Sequence, residues 1–320
     1  MLDEPLVLSP QTQAFRADVL EGLARPQKSV PSRWLYDDRG SALFEEITQL
    51  EEYYPTRTET AILRRHIGEI ADFCGEQALV LEYGAGAGVK TEILLDALRK
   101  PRLYVPIDIA GDFLSLTIER IRRLYPRLEA QPVIADFSQD FALPAMPEGP
   151  RAGFFPGSTI GNLDRRQAVA FLRRMRRHVQ ADGAQADGVA IVGVDLKKDL
   201  KTLLAAYDDH EGVTAAFDLN LLARINRELW GDFALNHFAH EARWNPGESA
   251  VEMHLVSLDD QIARVDGQSF SFRKGETIHT ESSRKYSRES FTAMVEEAGW
   301  RVGRFWTDAE DRFGVFGLTA

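Results

Sequence analysis

Three carboxylates close apolar runs: Glu82 after 78–81, Asp108 after 103–107 and Asp136 after 131–135. The first leads directly into Gly84-Ala85-Gly86-Ala87-Gly88 and then a helix-patterned segment from Thr91. Each run reads as a strand, so the acids fall at successive strand carboxyl ends. That is where a doubly wound α/β sheet places its ligand. Alternating glycines let the backbone turn sharply and approach a ligand closely. A carboxylate just before such a turn repels a pyrophosphate and suits a ligand bearing an ammonium and a sulfonium. One βα unit further on, Asp108 can accept hydrogen bonds from ribose hydroxyls. Asp136 can accept from an adenine amino group while Phe137 packs on the ring. These are the parts of S-adenosylmethionine (SAM), and the set points to a SAM-dependent methyltransferase.

Other chemistries begin from similar turns. A dinucleotide-binding domain also opens with a strand and Gly-x-Gly, but it has less use for Glu82 and Asp136 beside the adenosine. The segment from Gly84 to Thr91 falls one residue short of a phosphate-binding loop, because Val89 stands where the glycine before Lys90 is required. A β-branched residue resists the backbone conformation that wraps a phosphate. Any one of the acids could also simply cap the following helix. A nicotinamide-dependent oxidoreductase and a non-catalytic SAM-binding module therefore stay open.

Positioning these residues requires strands at 78–81, 103–108, 131–136, 153–157 and 189–195, with helical patterns at 113–124, 165–178 and 198–208 between them. Such a βαβ series implies a mostly parallel sheet covered by helices on both faces. From about 197 to 283 the pattern changes to a helical stretch at 219–229 and alternating segments at 238–244, 251–258 and 269–272. That is too much material for one crossover and reads as an inserted substrate domain. A helix at 288–298 and strands at 302–306 and 313–318 return to the sheet. Ahead of the series the chain is helical and polar, with Trp34, Tyr36, Tyr53 and Tyr54 near loops. Thr56 with Glu59 three residues on reads as a capping box. The expected division is a SAM-binding core of 59–196 and 284–320, and a substrate-binding domain of 1–58 and 197–283.

A chain of 320 residues, 44% hydrophobic and 27% charged, has the composition of a soluble globular protein. Its net charge of −11 argues against nucleic acid as a partner. The basic clusters at 120–123 and 173–177 read as wet faces of amphipathic helices. A single cysteine, Cys74, excludes an intrachain disulfide and reads as a small core residue at a helix end. No apolar run approaches a membrane span, so a cytoplasmic protein is expected. His237 and His240 are the only close histidine pair, and a strand would put them on opposite faces, so no metal site is expected.

Several longer segments narrow the reading: Arg33-Trp34-Leu35-Tyr36-Asp37, Glu52-Tyr53-Tyr54-Pro55-Thr56-Arg57-Thr58-Glu59, the glycine turn, Phe154-Phe155-Pro156-Gly157-Ser158-Thr159-Ile160-Gly161-Asn162, Ala206-Tyr207-Asp208-Asp209 and Glu281-Ser282-Ser283. In this order and with these gaps the chain resembles the histidine-specific SAM-dependent methyltransferases of the ergothioneine pathway, the L-histidine Nα-methyltransferase family. The resemblance runs through nearly the whole chain. It implies a Rossmann-like class I SAM methyltransferase core with a second substrate-binding domain formed by the N-terminus and the insertion. It also implies three methyl transfers from SAM to the α-amine of histidine, giving hercynine; methylation of another amino acid or of a histidine derivative is the alternative. A monomer is expected.

The same resemblance implies residue roles. Gly84, Lys90, Asp108 and Asp136 match the family's SAM contacts, beside Glu82, Gly86 and Phe137 from the strand-end reading. Asn162 and Tyr207 would hold the substrate carboxylate, and Tyr36, the candidate catalytic residue, would contact the α-amine. Gly157 lies where a side chain would intrude on the amine and its methyl groups. Glu281 and Ser283 would hydrogen-bond the imidazole, with Tyr53 acting through water and Met253 packed along the ring. Plainer roles exist: Asn162 as a cap for a helix near Asp164, Glu281 in a surface pair with Arg284 or Lys285, Met253 as core. The turn departs from the family pattern at Tyr83 and at the extra Gly88.

Overall fold

The structure, a computed structural model, describes residues 9–86, 88–109, 111–180 and 188–320; Ala87 of the glycine turn lies outside them. From the N-terminus come α1 (Pro10–Leu23), the short β1 (Lys28–Ser29), α2 (Asp38–Ile47) and the long α3 (Tyr54–Cys74). An alternating series follows: β2 (Leu79–Tyr83), α4 (Val89–Ala97), β3 (Leu103–Asp108), α5 (Gly111–Leu124), β4 (Glu129–Ala130) and β5 (Val133–Ile134). It continues with β6 (Arg151–Phe155), α6 (Arg165–Val179) and β7 (Val189–Asp195). Next are α7 (Leu200–Ala205), α8 (Val213–Glu228), β8 (Phe238–Asn245), β9 (Ala250–Ser257), β10 (Gln261–Val265), β11 (Gln268–Phe272) and β12 (Thr277–Arg284). Helix α9 (Arg288–Glu297) and strands β13 (Arg301–Thr307) and β14 (Phe313–Thr319) complete the chain.

These elements form two compact units. One comprises Tyr54–Asp199, Glu248–Ala250 and Ser283–Ala320. Its sheet runs β13-β14-β7-β6-β2-β3-β4, with β5 also paired to β3. The strands from β7 to β4 and β5 are parallel, while β14 and β13 close one edge antiparallel. The chain leaves β2 on one side through β3 and comes back on its other side at β6. That reversal is the point at which doubly wound sheets bind ligands. Every residue of β2 is buried. Leu79, Leu81 and Tyr83 join one core with residues of α6 and α9. Val80 joins another with residues of α3, α4 and α5. Helices thus cover both faces, as the βαβ pattern requires.

Several expected elements differ in detail. Of the strand expected at 131–136 only the short β5 forms, with β4 just before it, because Pro132 between them has no N–H to give the ladder. Helix α3 begins at Tyr54, so Thr56 lies inside its first turn and is not a cap. Arg174, expected on a wet helix face, is buried and donates to Asp140 and to the Phe137 carbonyl. Arg122, Arg123, Arg173 and Arg177 are exposed as expected. Cys74 is a buried free thiol, and burial pushes its pKa up to about 12.

The other unit comprises the described part of Met1–Tyr53 with Leu200–Gly247 and Val251–Ser282. It carries a four-stranded sheet, β1-β12-β9-β8, and the β10-β11 hairpin. Strands β10 and β12 were not among the expected elements; β12 carries Glu281 and Ser283. Helix α8 starts earlier than expected, where Asp209 accepts the N–H groups of Val213 and Thr214 at 3.0 and 2.7 Å. No helix among the described residues is long and apolar enough to cross a membrane.

Candidate active site

Gly84, Gly86 and Gly88 adopt φ of +71°, +43° and +74°, a region that side chains rarely tolerate. A Cβ on Gly88 would crowd only the movable end of the Arg120 side chain, so its left-handed φ rather than crowding calls for glycine there. Gly84 faces the Phe137 ring, and a Cβ there would stand 3.7 Å from it. The Gly84 N–H donates to the Ile107 carbonyl at 2.8 Å, and the Ala135 N–H to the Asp108 carbonyl at 3.0 Å. These bonds bring Gly84, Asp108, Asp136 and Phe137 together at the strand ends. The Asp136 carboxylate accepts the Ser138 N–H at 2.8 Å. Phe155 and Phe171 hold the Phe137 ring edge-on, each with centroids 5.4 Å away.

Glu82 takes a direction set by strand parity. It shares the face of Val80, beneath α4, rather than that of Leu81 and Tyr83. There it is buried, accepting from Thr91 Oγ1 at 2.7 and 2.8 Å and from the Tyr104 hydroxyl at 2.6 Å. Burial raises its pKa to about 7, with the Asp108 charge adding and the hydrogen bonds from Tyr104 and Thr91 opposing. Glu82 therefore ties α4 to β2 and β3 immediately below the glycine turn.

Lys90 and Gly157 are joined by Glu59, which the sequence pattern places in a capping box. The buried Glu59 carboxylate accepts the Gly157 N–H at 2.8 and 3.1 Å and pairs with Lys90 Nζ. Gly157 has φ +85°, and Ser158 after it is also left-handed at +58°. Gly193 leaves room for the carboxylate, since a Cβ there would fall 1.9 Å from Glu59 Oε1. Beside this turn lies a closed ionic cluster. Asp195 accepts from the Tyr54 hydroxyl at 2.8 Å, from Lys198 Nζ at 2.6 Å and from Lys285 Nζ at 2.7 Å. Lys285 also donates to Ser283 Oγ at 2.8 Å. Asn162 ends the short 3-10 turn Thr159–Asn162, and α6 is capped by Asp164 instead, in a capping box with Gln167.

In the other unit Tyr36, Tyr53, Tyr207 and Glu281 form one cluster. The segment before α2 is pinned on every side. Trp34 Nε1 donates to Asp18 at 2.7 Å, Arg224 donates to the Trp34 carbonyl at 2.9 Å, and Asp37 caps α2 through the Gly40 N–H at 2.8 Å. The Tyr36 ring stands edge-on to Phe44 and Phe217, and Tyr53 edge-on to Phe44 and Tyr207. Burial first, and then the charge of Glu281, hold the Tyr36 pKa well above the ordinary phenol value; its hydroxyl donates to that carboxylate. Glu281 is buried rather than in a surface pair: Arg284 pairs with Glu248 and Lys285 with Asp195. Met253 is buried on β9, its carbonyl accepting from Thr280 Oγ1 at 3.1 Å.

Residues 15–320 match the family described as histidine-specific methyltransferase, SAM-dependent. A histidine N-alpha-methyltransferase of Mycolicibacterium smegmatis is 41% identical over 316 residues, 97% of this chain and 96% of its own length. One of Mycobacterium tuberculosis is 42% identical over 309 residues, 94% of each chain. The chain belongs to the histidine-specific, SAM-dependent methyltransferases. Its fold is shared by a SAM-dependent methyltransferase from Clostridium acetobutylicum, with TM-score 0.50, 12% identity, and coverage of 86% of this chain and 97% of that one.

As a family member the chain is an enzyme with SAM as its cofactor. The strand-end residues fit that molecule chemically: a glycine turn without side chains, acceptors at Asp108 and Asp136 for hydroxyl and amino donors, and the Phe137 ring. The two close histidines serve other partners: His237 meets Asp259, and His240 meets Asp218 and the Tyr207 carbonyl. Among the described residues no group of acids, histidines and cysteines stands together to hold a metal ion.

Proposed function

We propose that this methyltransferase acts on the α-amine of L-histidine and, by three transfers, makes the trimethylated betaine hercynine, the first step toward ergothioneine. The observation that carries the reading is Glu281, a buried carboxylate set among tyrosines in a chain of this family. An imidazole N–H is a suitable donor for it, and Ser283 is assigned to the other ring nitrogen. Asn162 and Tyr207 are assigned to the carboxylate, Tyr53 and Met253 to the flanks of the imidazole, and Gly157 to the space beside the amine. On the cofactor side the assignment is Gly84, Gly86, Lys90, Asp108, Asp136 and Phe137, with Glu82 supporting the glycine turn from beneath through Thr91 and Tyr104. The enzyme is proposed to work as a cytoplasmic monomer, a setting that suits its one reduced, buried thiol.

When bound, SAM would supply a methyl group on a sulfonium: the amine N–C bond would form as the S–C bond breaks, the neutral thioether S-adenosylhomocysteine would leave, and the methylated ammonium would give up a proton to solvent before each further transfer. The protein's part is alignment, which can supply much of the rate. The Tyr36 hydroxyl donates to Glu281, which leaves its oxygen lone pairs to accept an amine N–H. Each transfer removes a donor and adds bulk, which Gly157 admits by lacking a side chain. The final quaternary ammonium can rest on tyrosine faces.

Two results follow. Asp108→Ala should weaken SAM binding by about 1–3 kcal/mol, the range for a lost charge-assisted bond; unchanged affinity by calorimetry in a folded variant would remove Asp108 from the site. Asn162→Ala and Tyr207→Phe should impair histidine turnover more than SAM binding, and histamine, which lacks the carboxylate, should be a poor substrate for the native enzyme. Efficient histamine methylation would contradict the carboxylate assignment.

A further inference from the structure

Tyr207 lies in the loop between α7 and α8, and its main chain is held by a buried pair that no step above employs. His240 of β8 donates from Nε2 to the Tyr207 carbonyl at 2.8 Å, and its Nδ1 meets Asp218 Oδ2 of α8 at 2.7 Å. A carbonyl oxygen can only accept, so Nε2 carries a proton in either charge state of the ring. The two side chains are 1% and 0% exposed. Burial would favour the neutral ring, but the hydrogen bond and charge of Asp218 outweigh it and raise the His240 pKa. The loop is fixed on either side of this contact: the Tyr207 N–H donates to the Leu204 carbonyl at 2.9 Å, and Asp209 accepts the first N–H groups of α8.

A buried ion pair is weak as a source of stability, and apolar residues of similar volume often serve as well. What this pair does that apolar residues could not is fix the plane of the peptide after Tyr207. With the preceding peptide held by the Leu204 carbonyl, that plane fixes the backbone at Tyr207 and so the direction in which its side chain leaves. We propose that His240, oriented by Asp218, is a positioning residue for the Tyr207 phenol and, through it, for the carboxylate of the substrate. This rests on the assignment of Tyr207 to the carboxylate, made above.

The two ring nitrogens can be removed separately. His240→Asn keeps a donor for Asp218 but has no atom where Nε2 meets the Tyr207 carbonyl; His240→Gln keeps a donor for the carbonyl. His240→Asn should raise the KM for histidine about ten-fold, equivalent to about 1.4 kcal/mol, with kcat and SAM affinity little changed. His240→Gln should restore most of that loss. In a Tyr207→Phe background His240→Asn should add nothing, because no phenol remains to be misplaced. A full additional rise in that background, equal losses in kcat and SAM affinity, or a KM unaltered by His240→Asn would each overturn the proposal. If Tyr207→Phe alone leaves the histidine KM unchanged, the carboxylate assignment itself fails, which is a separate result. Should His240→Asn not fold, replacing His240 and Asp218 together by leucine removes both charges and reads the same cycle.

Discussion

Replacing Glu281 by alanine is expected to cost the enzyme its preference for histidine over tryptophan and phenylalanine while SAM affinity stays intact. Glu281 is buried and accepts the Tyr36 hydroxyl. An indole or phenyl ring in place of imidazole leaves the carboxylate without its substrate donor. Sites built to hydrogen-bond a substrate reject analogues that cannot, by as much as roughly ten-thousand-fold. Alanine removes the group that enforces the rejection, so the preference should fall by about a hundred-fold or more. Competitive turnover with a mixture of the three amino acids, each methylated product read by mass spectrometry, measures this directly. An unaltered preference would dissociate Glu281 from imidazole recognition.

The largest effect on stability is expected at Asp195. Its side chain is closed to solvent and receives Tyr54, Lys198 and Lys285, the last fully buried as well. Burial alone would raise the Asp195 pKa, but Lys285 and Lys198 outweigh it and hold the carboxyl below its usual range. Burial also pulls Lys198 down to about 8 although Asp195 opposes it, a sign that this cation is held at a cost in solvation. Removing one partner of a buried pair strands the other, and typically costs about 3–5 kcal/mol. Asp195→Ala should lose that much in urea unfolding; a loss below about 1 kcal/mol would show that the lysines find other partners. The pH dependence has a definite sign. A carboxyl with a depressed folded pKa contributes stability that is complete above its unfolded value, about 3.9, and is lost as pH falls through the folded one. The native protein should lose this contribution on acidification below about pH 4, and Asp195→Ala should lack that step. Since Lys285 also donates to Ser283, histidine turnover should fall in the same variant.

What was legible in the sequence was local. The glycine turn, the acids at strand ends and the strand-helix alternation each announce themselves within about a dozen residues, and the βαβ frame follows from them. Direction and partnership were harder to read. Glu82 looked like a ligand-facing group, but a period of two places it on the Val80 face, where Thr91 and Tyr104 hold it. Glu59 looked like half of a cap because the true start of α3 at Tyr54 carries no strong signal, while its partners Gly157 and Lys90 lie 98 and 31 residues away. Asp195 and Tyr54 are separated by 141 residues, and His240 and Tyr207 by 33. Such pairs exist only once the fold is made. Strand β12 gives no sequence signal, because its Thr- and Ser-rich sequence lacks an apolar alternation, although both its faces are largely buried.

The central claim is that the α-nitrogen of histidine is the methyl acceptor. It is tested most directly by incubating the full chain with histidine and SAM bearing a deuterated methyl group, then locating the label by fragmentation of the product. Successive addition of one, two and three labelled methyl groups, all on the α-nitrogen, is the predicted result. Label on an imidazole nitrogen, or an unlabelled histidine beside another methylated amino acid, would contradict it.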